Sequence, residues 1–432
     1  MWKAKIQTLP VLFLVANSIS WFSLTLVVIG QLSSGYSFID MLLVAGTYFG
    51  SLIASAIVGA TLLYKKFRKK ATLLLWTLVG VVACLLFSVL TPEASLSILV
   101  ILSFVLGGSI GVGIPSCLSF FANSTKTESR GRIGALMFFS IQLLTVMIYI
   151  PITGAVAGSQ FIVLAIWRLL GMLSIFFFKP SANRAEDDKT SLFTIIRERK
   201  FMLYFIPWFM FTLVNFIEKP LLQQFFGPDL FGNYELATLI IASVSAFLGG
   251  IFCDLKGRKV AGILGFVLLG IGYALLSLLP EAQISQILYV VFDGTAWGIL
   301  YVTFIFIVWG DISENKIPEK YYLLGGMPFL FAGLIEAIVQ PFVTVFPIST
   351  SFSLASFFLF LAVLPLLYAP ETLPEKTMKD RELKNYIEKA QKQAEKTQKT
   401  EDEDTPIENG DDGVEFEGAE FEEKLNEAEK YY

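Results

Sequence analysis

Apolar residues gather into twelve long runs with short polar breaks between them. A run of about 20 apolar residues is long enough to cross the hydrocarbon of a bilayer as an α-helix. Six runs lie near 8–30, 39–63, 71–90, 96–121, 133–155 and 159–178. Six more lie near 201–226, 234–253, 260–279, 284–309, 322–346 and 350–369. The short period-two alternation of a membrane barrel is absent. The pattern predicts an all-α polytopic membrane protein with twelve transmembrane helices in two pseudo-symmetric six-helix bundles.

The longest polar interruption between helices is KPSANRAEDDKTSLFTIIRERK at 179–200. It divides the chain into an N-terminal bundle, 1–178, and a C-terminal bundle, 201–374, with 179–200 as a central cytoplasmic loop. Residues 375–432 differ in character, with a charged stretch that can form an exposed helix through Glu–Lys pairs, then an acidic segment poor in apolar residues. They are expected to be a largely disordered cytoplasmic tail. Composition follows this division. The chain is 55% hydrophobic with a mean hydropathy of +0.65. Residues 1–374 carry 23 basic and 18 acidic side chains, whereas 375–432 carry 10 and 19, so the net charge of −4 hides a basic membrane part and an acidic tail.

Basic residues collect on the cytoplasmic side of membrane proteins. Here they precede helix 1 (Lys3, Lys5) and follow helices 2 (Lys65 to Lys70), 4 (Lys126, Arg130, Arg132), 6, 8 (Lys256, Arg258, Lys259) and 10 (Lys316, Lys320). The odd-numbered connections hold acids such as Glu93, Asp229 and Glu281. Before the tail, only Arg168 and Lys219 break the alternation. Both termini are therefore expected in the cytoplasm, in an integral protein of the cell membrane whose first helix is not cleaved.

Several chemistries are excluded. There is no histidine to carry protons or bind a metal. Cys84, Cys117 and Cys253 are scattered through apolar segments without metal-ligand spacing and read as small buried hydrophobes. The GxxxxGK[ST] loop of ATP-driven machines is missing, as are soluble-enzyme constellations. The expectation is a non-enzyme with no cofactor, no metal and no nucleic-acid partner, working as a monomer.

The stretch GGIFCDLKGRK at 249–259 stands out: two small residues, a lone acid at the membrane edge, then a basic turn. Its spacing resembles the loop between the second and third helices of each half in the major facilitator superfamily of secondary transporters. KKFRKK at 65–70 occupies the same place in the first half, about 190 residues earlier, as duplicated six-helix units require. That copy has Tyr64 or Leu63 where Asp254 stands, and no glycine. Further resemblances are the glycine-rich fourth helix (Gly107, Gly108, Gly111, Gly113) followed by Arg130-Gly131, with Asn123 in place of the family's acid; Asp311 to Lys320 after helix 10; Trp167-Arg168 with Gly171; and Pro370-Glu371-Thr372, which is similar to an ending common in sugar porters. The resemblance implies a conformational latch at Gly250, Asp254, Gly257, Arg258 and Lys259, with Arg130 and Gly131 from the other half. It also implies a cavity lined by helices 1, 4, 7 and 10. Gln223-Gln224 lies too far along helix 7 to match the glutamine pair of sugar porters.

Charges at membrane depth are costly and mark function by default. Asp293 in helix 10 and Glu218 and Lys219 in helix 7 are the leading candidates for binding substrate or proton. A carboxylate in a dry cavity can load and release a proton as the cavity opens and closes. Glu336 in helix 11, with Gln340 and Pro341 nearby, is placed to pair with Lys219. Arg168 is expected to meet a backbone carbonyl or an acid of a neighbouring helix. Asn17, Trp21, Gln142, Asn215 and Trp297 complete the set, the two tryptophans as platforms for a sugar ring. The expected activity is alternating-access movement of a small solute, a sugar or another small organic molecule, either as a facilitator or with protons as the coupling ion, Asp293 then being the titrating carboxylate. The alternatives are a drug–proton antiporter, whose helix-5 glycine-proline pattern is poor here, and a non-transporting sensor that signals through its tail.

Overall fold

A computed structural model describes residues 2–67, 70–89, 95–177, 190–313, 316–339, 342, 347–374 and scattered positions between 379 and 392. The expectations for most of the central loop, most of the tail, Glu93, Gln340 and Pro341 lie outside these residues. Among the described residues, twelve helices are long and apolar enough to cross a membrane. They are α1 (Leu9–Ser33), α2 (Phe38–Phe67), α3 (Lys70–Ser88), α4 (Leu96–Ser124), α5 (Thr127–Thr153), α6 (Gly158–Phe177), α7 (Arg199–Gly227), α8 (Leu230–Lys256), α9 (Arg258–Leu278), α10 (Gln283–Ile312), α11 (Pro318–Val339) and α12 (Ile348–Tyr368). A short helix, Leu192–Arg197, precedes α7, opened by the Ser191 side chain accepting from the Thr194 backbone N–H.

The two sixes repeat the same packing. In the first half α2 lies on α4, α3 on α6, and α1 on α5 and α6. In the second, α8 lies on α10, α9 on α10 and α12, and Phe225 of α7 meets Phe352 of α12 at 5.6 Å. Small residues permit the tightest of these approaches. Gly107 and Gly111 of α4 face the carbonyls of Tyr48 and Leu52 on α2, and Gly294 and Gly298 of α10 face those of Thr238 and Ala242 on α8. In each pair a Cβ would collide with backbone, so the four-residue glycine spacing sets how close the helices come.

Helix ends follow local chemistry. Gly227 and Gly257 carry positive φ, +75° and +105°, which L side chains avoid and glycine accepts. They are the pivots between α7 and α8 and between α8 and α9. The charged stretch at 249–259 is therefore not a loop. Helix α8 continues to Lys256, α9 starts at Arg258, and a single glycine reverses the chain. Asp254 sits in a helical last turn, which fixes its direction. The halves meet along two seams, α5 against α8 and α2 against α11.

Candidate functional site

At the end of the molecule that carries the even-numbered connections, four buried charges join the halves. Asp254, 1% exposed, accepts hydrogen bonds from the backbone N–H groups of Gly131 at 2.8 Å and Arg132 at 3.0 Å, and from Arg132 Nε at 3.1 Å. Those residues begin the α-helical part of α5. The first turn of a helix has N–H groups without partners and a partial positive charge. An acid from one half thus caps a helix of the other. Gly131 and Gly250 allow this, since a Cβ on either would strike the backbone of its partner helix.

Asp311, at the end of α10, accepts from Arg130, from Arg258 Nε at 3.1 Å and from Thr372 Oγ1 at 3.2 Å. Arg258 also donates to the carbonyls of Cys253, at 2.8 Å, and Thr127, and lies 3.5 Å from Asp254. Arg130 donates to the carbonyls of Ala122 and Thr125. Glu371 caps α9, accepting from the N–H groups of Arg258 at 2.8 Å and Lys259 at 3.2 Å. Two buried cations and two buried anions satisfy one another here, and removal of any one would leave an unpaired charge.

Away from this end, a cavity of about 360 Å³ opens between α5, α7, α8 and α10. Its polar side chains are Gln142, Asn215, Lys219, Glu235, Thr238 and Asp293, and its aromatic walls include Phe138, Tyr234 and Trp297. Asp293 is 2% exposed. Its Oδ2 accepts from the Tyr234 hydroxyl at 2.5 Å, and its Oδ1 has no partner among the described residues. Trp297 Nε1 donates to Asn215 Oδ1 at 3.0 Å, fixing both in the wall. Lys219 Nζ lies 3.2 Å from Glu336 and 3.8 Å from Glu235. Lys219 also borders a second cavity of about 440 Å³, walled by apolar residues of α1 and α2 and by Gly333, Glu336 and Ala337 of α11. With side chains 38% and 52% exposed, Lys219 and Glu235 stand where the first cavity reaches the surface.

The family model described as Major Facilitator Superfamily matches residues 8–308. The chain belongs to that superfamily. Solved structures agree in fold. The Escherichia coli fucose:proton symporter FucP, in a point-mutant form, is 14% identical, with 83% of this chain and 96% of that one covered at a TM-score of 0.64. The human organic anion transporter MFSD10 is 13% identical over 84% and 99%, TM-score 0.64. The proton:xylose symporter XylE bound to 6-bromo-6-deoxy-D-glucose is 14% identical over 85% and 95%, TM-score 0.58. No curated protein sequence matches the chain. As a member of this superfamily the protein is an integral membrane transporter and not an enzyme, acting on a small molecule within lipid.

Within this facilitator fold the sequence candidates separate. Gln142, Asn215, Lys219, Asp293 and Trp297 share the first cavity, and Glu336 meets Lys219 at the second. Helices α5 and α8 line the first cavity beside α7 and α10, whereas the resemblance implied α1, α4, α7 and α10. Asn17 and Trp21 line neither cavity. They serve Arg168, whose guanidinium lies 4.7 Å from the Trp21 ring and 4.3 Å from that of Trp76 and donates to Ser18 Oγ at 2.9 Å and Asn17 Oδ1 at 3.3 Å. The expected carbonyl or acid is replaced by two aromatic faces, a hydroxyl and an amide, which suit a planar, delocalised cation. Glu218 also turns away from both cavities and is buried inside the C-terminal half. Sequence reasoning missed Tyr234, Glu235 and Thr238. The signal was the four-residue spacing of Tyr234, Thr238 and Ala242, one face of α8. It also missed the capping by Glu371, although the motif around Glu371 was plain.

Proposed function

We propose that the protein is a proton-coupled symporter of a small polar solute of the sugar class. The observation that carries this reading is Asp293, a buried carboxylate in the wall of a cavity between the halves, with one oxygen held by Tyr234 and the other without a partner among the described residues. An ionised carboxylate without a cation is expensive at membrane depth, so the group suits a site that takes a proton and gives it up as its surroundings change. Amides, hydroxyls and an aromatic wall suit a polyol with polar edges and an apolar face. Two similar solved structures are of a fucose:proton symporter and a proton:xylose symporter, which favours this class.

Alternating access is the rocking of two halves about the cavity they share. The four-charge cluster of Asp254, Arg258, Arg130 and Asp311 acts as the latch that holds one end shut, with Gly250, Gly257, Lys259 and Gly131 shaping it. The basic connections put that end in the cytoplasm, with both termini inside and the cell membrane as the location. The state described here is then shut to the cytoplasm.

The test uses vesicles loaded with a pH-sensitive dye and containing purified protein. A panel of hexoses, pentoses, sugar alcohols and small organic acids is added outside. The expected result is internal acidification by at least one sugar or sugar alcohol, abolished in Asp293→Asn while pH-independent exchange of that solute survives. Unchanged acidification in Asp293→Asn would remove this carboxyl from coupling.

A further inference from the structure

Glu218 has no role in the transport cycle described so far. It is 5% exposed, and its Oε2 has no hydrogen-bond partner among the described residues. The next residue, Lys219, faces the cavities and is held there by Glu336 and Glu235. Glu218 therefore makes no ion pair among the described residues, although it sits in the interior of a membrane bundle, where an ionised, unpaired carboxylate is costly.

Three tyrosines run in a row from Asp293. The Tyr234 hydroxyl donates to Asp293 Oδ2 at 2.5 Å and lies 3.3 Å from the Tyr289 hydroxyl. The Tyr234 and Tyr289 rings are stacked with centroids 5.8 Å apart, and Tyr273 and Tyr289 lie 5.1 Å apart. Tyr273 and Tyr289 are fully buried, and Tyr273 is within electrostatic reach of Glu218. The Tyr273 hydroxyl, like Glu218 Oε2, has no hydrogen-bond partner among the described residues. The row is closed by hydrogen bonds at the Asp293 end and unclosed at the Glu218 end, where an unused hydroxyl and an unused carboxyl oxygen come from neighbouring helices.

We propose that Glu218 is a second proton-binding carboxyl of the C-terminal half, joined to Asp293 by the ladder Tyr273–Tyr289–Tyr234. The proposal rests on the proton-coupled reading of Asp293 and extends it. When Asp293 takes the Tyr234 hydroxyl proton, Tyr234 takes that of Tyr289, Tyr289 that of Tyr273, and Tyr273 the carboxyl proton of Glu218. One proton leaves Glu218 and one arrives on Asp293, and all three phenols end as they began. Two steps, Tyr289–Tyr273 and Tyr273–Glu218, are open in this state, and both must close when the helices shift. The other groups that face the ladder are Thr238 on α8, Phe352 on α12 and, from the cavity side, Lys219 and Glu235; Lys219 is the cation among them.

The test needs no solute. Full-length protein in lipid vesicles is followed by infrared spectroscopy of the protonated-carboxyl band after a rapid pH jump, and Glu218→Gln and Asp293→Asn assign the two contributions. Tyr273→Phe is the decisive variant. Its hydroxyl makes no hydrogen bond among the described residues, so a merely structural Tyr273 predicts wild-type melting and wild-type proton kinetics. The ladder predicts wild-type melting with the Glu218 signal slowed at least about tenfold, a barrier increase of about 1.4 kcal/mol. Tyr289→Phe is expected to do the same. Wild-type Glu218 kinetics in both variants would overturn the ladder, and a Glu218 signal that never changes with pH would overturn the second site. Failure of the symport reading looks different. It is seen as absent solute-driven acidification in the vesicle assay, which this measurement does not use.

Discussion

The two seams between the halves are related by the duplication, yet they are built from different chemistry. Along α5–α8, glycines bring the backbones together, and Asp254 reaches across to cap α5. Along α2–α11, one of the two candidate counterparts is Tyr64, whose ring lies 5.9 Å from Lys320 Nζ near the start of α11. The contact below it is apolar, with Ala56 and Ala60 against Leu323. One seam is held by direction and charge, the other by fit. A duplicated fold needs the hinge on both sides, but a latch on one side is enough to favour one state. In the proposed reading the second copy carries it, and the first is free to drift.

The comparison is broken hardest at Asp254. Asp254→Asn leaves the α5 N-terminus without its anion and Arg258 with Asp311 alone, and loss of one partner of a buried charge pair costs about 3–5 kcal/mol. The expected outcome is a lower melting temperature and slowed transport with normal membrane insertion. Because the cluster is buried, salt should change the wild-type protein little. On the apolar seam, Ala60→Leu should cost about 1–3 kcal/mol by overpacking, again seen in melting, with no change in salt response. The smallest effect sharpens the contrast. Tyr64→Asp puts an acid beside Lys320 and near the start of α11, worth about 0.3–1 kcal/mol by charge at a helix N-terminus. Because the buried Tyr64 ring is lost, melting falls overall, and the new acid shows as a smaller fall at low salt than at high salt.

How much of this was legible in the sequence depends on the type of residue. Helix number and the division into two sixes were readable, because apolar length and the alternation of basic connections are forced by the bilayer. The charged stretch at 249–259 was readable as a site but misread as a loop, since a helix that runs to Lys256 and restarts at Arg258 differs from a loop by one glycine dihedral. Asp293 could be found because a lone acid in an apolar run stands out. Tyr234 could not, because tyrosine is ordinary in such a chain and gains meaning only from the carboxylate 2.5 Å away. Trp21 was placed with the substrate for the opposite reason: an aromatic near a polar pair looks the same in sequence whether it faces a sugar or Arg168.

Rocking of the two halves about the latch is tested most directly by distances across both ends. Spin labels at Lys66 and Lys256 report the end with the charge cluster, and labels at Gln31 and Leu230 report the opposite end. All four positions are exposed, and the three native cysteines are buried and out of reach of the label. The account predicts that Asp254→Asn lengthens the first distance and shortens the second in the same population of molecules. A longer first distance with an unchanged second would mean local fraying, and two unchanged distances would mean that Asp254 latches nothing; either result contradicts it.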